Sequence, residues 1–389
     1  MSPRTRSTPP AGPPSTDAAD HAAPTTRATR ATPPGTARYV ERYASRFTDD
    51  YFRTLATLGV GSIGLGTYLG ECTEEDDAGY EATIYAGLGA GCNVVDTAIN
   101  YRCQRSERAV GRALARALRA GVVRRDEVLV CTKGGYVALD GAPPATRDEY
   151  EAYLAREFFA PGVMRPDDVV HGGHSLAPSF LAHQIARSRA NLGVETIDLY
   201  YLHEPERQLD SPAAGTFATT LRRAAEALEA SVARGEIARW GIATWRGLRV
   251  APGTKAHDHL ALADVVAAAH DVAGDAHHFA AVQLPLNLAM TEAVRTPTQP
   301  LATRGASPQR TVPLLQAAQE VGVAVVASAP LMQAQLASNL PPALRDAFPG
   351  CETDAQRAIT FVRSLPGVSV ALVGTRSVEH LTENLRSAR

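Results

Sequence analysis

The sequence has no pair of cysteines at C-x-x-C spacing. Its five cysteines, Cys72, Cys92, Cys103, Cys131 and Cys351, are odd in number and scattered. That argues against a disulfide framework or a zinc site and fits a reducing compartment. An excess of charge is also absent. The formal net charge is -2, which gives no reason to expect nucleic acid or an anionic membrane as a partner. Long apolar runs are missing as well: stretches such as VGVAVVASAPLM fall far short of the ~20 residues that span a bilayer. The first residues, MSPRTRSTPPAGPPSTDAAD, lack the apolar core of a secretory signal. A soluble, cytoplasmic protein is the expectation. No G-x-G-x-x-G opens a helix, which weakens an open dinucleotide-binding sheet. Neither a G-x-S-x-G elbow nor a clear metal cluster supports a hydrolase.

What is present falls into two parts. Residues 1–37 are rich in Pro, Thr, Ala and Arg and nearly free of large apolar side chains. Such a segment cannot bury enough surface to offset its ordering entropy, so it reads as a disordered tail. From Arg38 to Arg389, short apolar runs alternate with amphipathic stretches. The runs are GSIGLG, CNVVDTA, EVLVCTK, TIDLYYLH, ARWGIATW, FAAVQLPLN, VAVVASAPL and VSVALVG. Each is short, β-branched and without polar alternation, as a parallel strand covered on both faces should be. EEDDAGYEATIYAGLGAG, SFLAHQIARSRANLGV and FATTLRRAAEALEASVARGE read as helices between them. Eight βα units predict a single closed (β/α)8 TIM barrel. FRTLATLG, ahead of the first strand, predicts a hairpin that plugs the barrel bottom.

Chemistry in such barrels collects at the C-terminal ends of the strands. Asp96 ends the second run and Tyr101 follows in its loop; Lys133 ends the third and His203 the fourth. A phenol is a weak acid at neutral pH, and a nearby ammonium lowers its pKa. Lys133 can play that part, with Asp96 holding it charged. His203 can donate to a carbonyl oxygen that takes a proton as hydride arrives on carbon. No metal is needed. The H-G-G-H of His171 and His174 has metal-ligand spacing but no matched acidic third ligand, and reads as structural.

At this point the sequence resembles the aldo-keto reductases. GLGTYLG is similar to the family's first-strand motif, VVDTAINY to its Asp-Thr-Ala-x-x-Tyr element, VCTKGG to the lysine strand and LYYLHEP to the histidine strand. VGTRSVEHLTENL resembles its cofactor-adenosine motif. The resemblance implies a catalytic set of Asp96, Tyr101, Lys133 and His203. It places Gly66, Thr67 and Asp96 near the nicotinamide, with Thr244 and Gln283 on its carboxamide. Leu331 and Gln333 would lie along the pyrophosphate. Gly374, Thr375, Arg376 and Ser377 would hold the adenosine ribose and any 2′-phosphate, and Glu383 and Asn384 the adenine. Ala243 and Ser328 depart from the usual side chains, and His380 stands where many NADP-preferring members place Arg.

The implied activity is NADPH-dependent reduction of an aldehyde or ketone, with NADH also open. The alternatives are an NAD-linked alcohol or sugar dehydrogenase and a cofactor-sensing regulatory subunit. The partner is a small carbonyl or alcohol. Between Lys133 and His203 lies an insertion, residues 136–176. Its EYEAYLAREFF predicts a short amphipathic helix, expected to act as a lid on the substrate opening or, failing that, to pack on the barrel's side.

Overall fold

The computed structural model describes residues 28–210, 217–253, 258–303 and 306–389. A hairpin comes first, β1 (Phe52–Leu55) and β2 (Leu58–Gly61). The barrel strands are β3 (Ile63–Gly66), β4 (Val94–Asp96), β5 (Leu129–Gly134), β6 (Leu199–His203), β7 (Trp240–Ala243) and β8 (Phe279–Pro285). A second hairpin, β9 (Gln299–Thr303) and β10 (Ala306–Val312), precedes the last two barrel strands, β11 (Ala324–Ser328) and β12 (Val368–Gly374). The eight barrel strands pair in parallel and close in the order β11-β12-β3-β4-β5-β6-β7-β8. All eight expected strands are there. The second hairpin carried no clear sequence signal.

Alternation along each strand divides the core in two. Val94, Leu129, Cys131, Leu199, Tyr201, Val326 and Val370 point into the barrel. Val95, Val130, Tyr200 and Leu202 point out and pack under the helices. Leu55, Leu58 and Val60 of the first hairpin join the inner cluster and plug it. Burial holds the Cys131 thiol well above its ordinary value, as suits a small inert hydrophobe.

Part of the segment that composition reads as a disordered tail is ordered. Residues 1–27 of it lie outside the described residues, but Ala31 is buried among the plug side chains and its N–H donates to Asp198 at 2.6 Å. Thr32 caps a helix over Pro33–Tyr43, accepting from the Gly35 N–H. Small residues conceal this. Ala31 contributes almost nothing to a hydrophobicity count yet is only 5% exposed.

The insertion contains the expected helix, Arg147–Leu154, extended by one π-turn over Ala155–Phe159. That helix does not line the cavity at the C-terminal ends of the strands; Tyr136, where the insertion begins, does. Leu154, Phe158 and Met164 pack with Val137 on Phe180, at the start of the helix Pro178–Leu192. The apolar residues therefore cover a helix beside the barrel, and packing, not a lid, accounts for them.

Candidate active site

The C-terminal ends of the strands open into a cavity of about 770 Å³. Lys133 lies beneath it, 1% exposed, because β5 is covered on both faces. Its Nζ donates to Asp96 Oδ1 at 2.5 Å and to the Thr97 carbonyl at 2.8 Å. Burial opposes the ammonium, but the Asp96 carboxylate and Tyr101 outweigh it and hold Lys133 above its ordinary value. The second Asp96 oxygen accepts from Gln283 Nε2 at 2.9 Å. An unpaired charge this deep would be very costly, so the pair and its bonds make the lysine tenable.

The Tyr101 ring stands over this pair, its centroid 4.9 Å from Lys133 Nζ. The loop carrying it is fixed by a turn from the Tyr101 N–H to the Ala98 carbonyl. It is also held by three consecutive left-handed residues, Arg102, Cys103 and Gln104. Arg102 anchors them through Asp77 and the Glu71 carbonyl. Burial pushes the phenol up and the Lys133 ammonium pulls it back, with a net rise. The lysine's pull expected from the sequence is present, but in the closed site desolvation is larger. His203 faces the same ring at 5.9 Å between centroids. Burial first and Lys133 second push its pKa well down, leaving a neutral imidazole.

Asp96, Tyr101 and His203 line the cavity, and so do Gly66, Thr67, Thr244, Gln283, Leu331, Gln333, Gly374, Thr375, Glu383 and Asn384. Gly66 and Gly374 are register partners across β3 and β12. Their bare backbones leave that part of the cavity floor open to the close approach of a ligand. Asn100 Oδ1 and His203 Nδ1 are buried without partners. This donor set and open floor fit a nicotinamide dinucleotide. Arg376 and Ser377 do not line the cavity. Arg376 pairs with Asp76. Ser377 Oγ donates to Glu379 at 2.7 Å and accepts from the His380 N–H, capping the helix Val378–Arg386. Thr244 gives its hydroxyl proton to Glu206.

The profile of the Aldo/keto reductase family matches residues 57–341. The chain belongs to the aldo/keto reductase family. A curated relative, a D-threo-aldose 1-dehydrogenase from Pseudomonas sp, is 29% identical over 185 residues; that alignment spans 47% of this chain and 50% of the relative. Among solved structures, an aldo-keto reductase from Bacillus halodurans in its holo form aligns with a TM-score of 0.54 at 20% identity, over 86% of this chain and 90% of that one. One from Klebsiella pneumoniae in complex with NADPH aligns with a TM-score of 0.55 at 22% identity, over 86% and 88%. Another from the same organism, in complex with NADP and acetate, gives 0.53 at 23%, over 87% and 89%. These likenesses show the shared barrel. No helix among the described residues is long and apolar enough to cross a membrane.

Several residues of the cavity fall outside the site expected from the sequence. Tyr68, Leu69 and Trp245 are the exposed large hydrophobics among the described residues, and all three line this cavity. Tyr136, Glu204 and Arg207 join them: Tyr136 donates to the Glu204 carboxylate, which also accepts from Arg207 Nε at 2.9 Å. Their positions after strand ends were the available signal.

Proposed function

We propose that this aldo/keto reductase family member moves a hydride between a nicotinamide dinucleotide and a small carbonyl or alcohol, and reduces an aldehyde or ketone. One observation carries the reading: the Tyr101 ring stands over a buried Lys133–Asp96 pair, with a neutral His203 against its edge, at the floor of the cavity. The dinucleotide, when bound, supplies or accepts the hydride. The chain handles the proton and the oxygen. Tyr101 is a phenol, protonated at neutral pH and pushed further that way by burial, and it gives its proton to the carbonyl oxygen. Lys133 stabilises the phenolate that remains, and His203 donates an N–H to the same oxygen. The raised phenol has a consequence with a definite sign. Reduction needs Tyr101 protonated and falls at high pH; oxidation needs the phenolate and rises with pH. Rate profiles in both directions check this, and parallel profiles contradict it.

NADPH is the cofactor that Arg376 and Ser377 suggest. Their engagement with Asp76 and Glu379 means that a 2′-phosphate must draw the guanidinium away from a carboxylate and sit near another. NADH requires neither. Titration of protein fluorescence with both dinucleotides tests the assignment. NADPH binding more tightly, with its advantage lost in Arg376→Ala and widened in Asp76→Asn, supports it. Equal affinities refute the phosphate contact.

A second reading, oxidation of an aldose, is favoured by the aromatic faces of Tyr68 and Trp245 beside Glu204 and Arg207 at the cavity wall, a setting suited to a sugar's apolar face and hydroxyls. The partly aligned relative named as an aldose dehydrogenase points the same way. A panel of aldehydes, ketones, alcohols and aldoses run with NADPH, NADH, NADP and NAD separates the two. Binding without turnover across the panel would instead indicate a cofactor sensor.

A further inference from the structure

The catalytic histidine has no side-chain bond to orient it. His203 Nδ1 is buried with no partner. Its backbone is held by an unusual arrangement. The β5–β6 ladder stops at Gly134 and Leu202, and the amide that follows on β5, Gly135 N–H, donates to Gln184 Oε1 at 2.8 Å. His203 itself has no register partner on β5 and pairs only with Ala243 of β7. Its carbonyl accepts from the insertion: His174 Nε2 lies 2.8 Å away. Directly after it, Glu204 adopts a left-handed φ of 47°, a conformation that a non-glycine residue holds only where its surroundings fix it.

The His174 ring is itself set. Gln208 Nε2 donates to His174 Nδ1 at 2.9 Å and to the His174 carbonyl at 3.3 Å. Both partners are acceptors, so the amide nitrogen faces them, and the ring proton resides on Nε2, aimed at His203. His174 is fully buried, and burial lowers its pKa to about 4. The ring stays a neutral single-tautomer donor. The charged and titratable groups around it are His203, Arg207 and His171, with the Tyr136 ring 5.0 Å away. Tyr136 also packs on His203 at 5.1 Å. The segment's ends are tied together by a bridge between Tyr136 and His174 and by Ser175 N–H to the Gly135 carbonyl at 2.8 Å. A Cβ on Gly135 would stand 3.0 Å from both His174 Nε2 and the His203 carbonyl, so only glycine lets the two approach.

We infer that the insertion after β5 is a clamp: His174 is a positioning residue that fixes His203 through its backbone carbonyl. The inference rests on the proposed hydride transfer, in which His203 meets the carbonyl oxygen. The H-G-G-H segment thereby gains a role other than metal binding or packing.

The test compares His174→Ala, His174→Phe and His174→Gln with the wild type in the full chain. Turnover of aromatic aldehydes and aldoses is measured, together with direct fluorescence titration of the dinucleotide. Alanine and phenylalanine remove the donor and lower kcat about tenfold, while dinucleotide Kd stays within about twofold. Glutamine, whose Nε2 can still donate, restores most of kcat. A structural role alone predicts that the bulky phenylalanine rescues and glutamine does not. If the position-174 variants do not fold, Gln208→Met supplies the answer: losing the group that sets the tautomer lowers kcat several-fold at constant Kd. Wild-type kcat in folded His174→Phe, or in Gln208→Met where that is the variant read, overturns the clamp alone. A wild type that binds the dinucleotide but turns over no carbonyl overturns the hydride-transfer reading and the clamp with it.

Discussion

Glu206 is buried under the loop that follows β7, where its carboxylate accepts the Thr244 hydroxyl and the Gly247 N–H. Burial raises its pKa from the ordinary 4.5 to about 7, against the pull of the Thr244 bond. Its second oxygen has no partner, so the protonated acid is the comfortable form. The sign follows from proton counting. Between these two pKa values the folded chain binds more protons than the unfolded chain, so stability falls as pH rises. The contribution is present below about 4.5 and lost through about 7, with a full amplitude of roughly 3 kcal/mol. Glu206→Gln keeps an acceptor for Thr244 and removes the charge. Melting temperatures taken across this window should fall for the wild type and run flatter for the variant. Identical slopes would contradict the raised acid. No motif announces Glu206. Its importance depends on a contact with the end of the next barrel strand, β7, whereas Asp96, Tyr101, Lys133 and His203 each stand beside a strand that can be read directly.

The elements divide in the same way. Strands β3 to β8, β11 and β12 were legible because burial on both faces leaves nearly uninterrupted Val, Ile and Leu. The helix Glu74–Leu88 was legible through its acidic start and closing glycine, and Phe217–Ala233 through its three- and four-residue spacing. The hairpin β9–β10 was not, since TPTQPLATRGASPQRTV alternates weakly and carries prolines. The insertion was half legible. Its helix follows from periodicity, but what a helix packs against is not encoded in its own spacing. Here Phe158 meets Phe180 at 5.5 Å between ring centroids. Phe158→Ala should destabilise this unit by ~3–5 kcal/mol, lowering the melting temperature. KM values for small and bulky substrates should shift alike. A KM change that grows with substrate bulk would return the segment to the role of a lid.

Across the whole molecule, the closed barrel makes two ends with different tasks. The bottom is stability: the hairpin β1–β2 and Ala31 fill it, and Asp198 ties the Ala31 N–H, Arg125 and the Val130 N–H together. A chain beginning at Arg38 lacks the Ala31 bond and the Thr32 cap and should melt several degrees below one beginning at Ala28, while keeping dinucleotide affinity. Equal melting temperatures would place the ordered boundary where composition alone puts it. The top carries the proposed active site, and the central claim is that Tyr101 moves the proton. Tyr101→Phe tests that most directly, because it removes one oxygen and leaves the ring over Lys133. The measurement is single-turnover reduction of a carbonyl that the wild type accepts, beside a fluorescence titration of the dinucleotide. The account predicts a fall in turnover of ~10²-fold or more with affinity nearly unchanged. Turnover at the wild-type rate in the phenylalanine variant would contradict it.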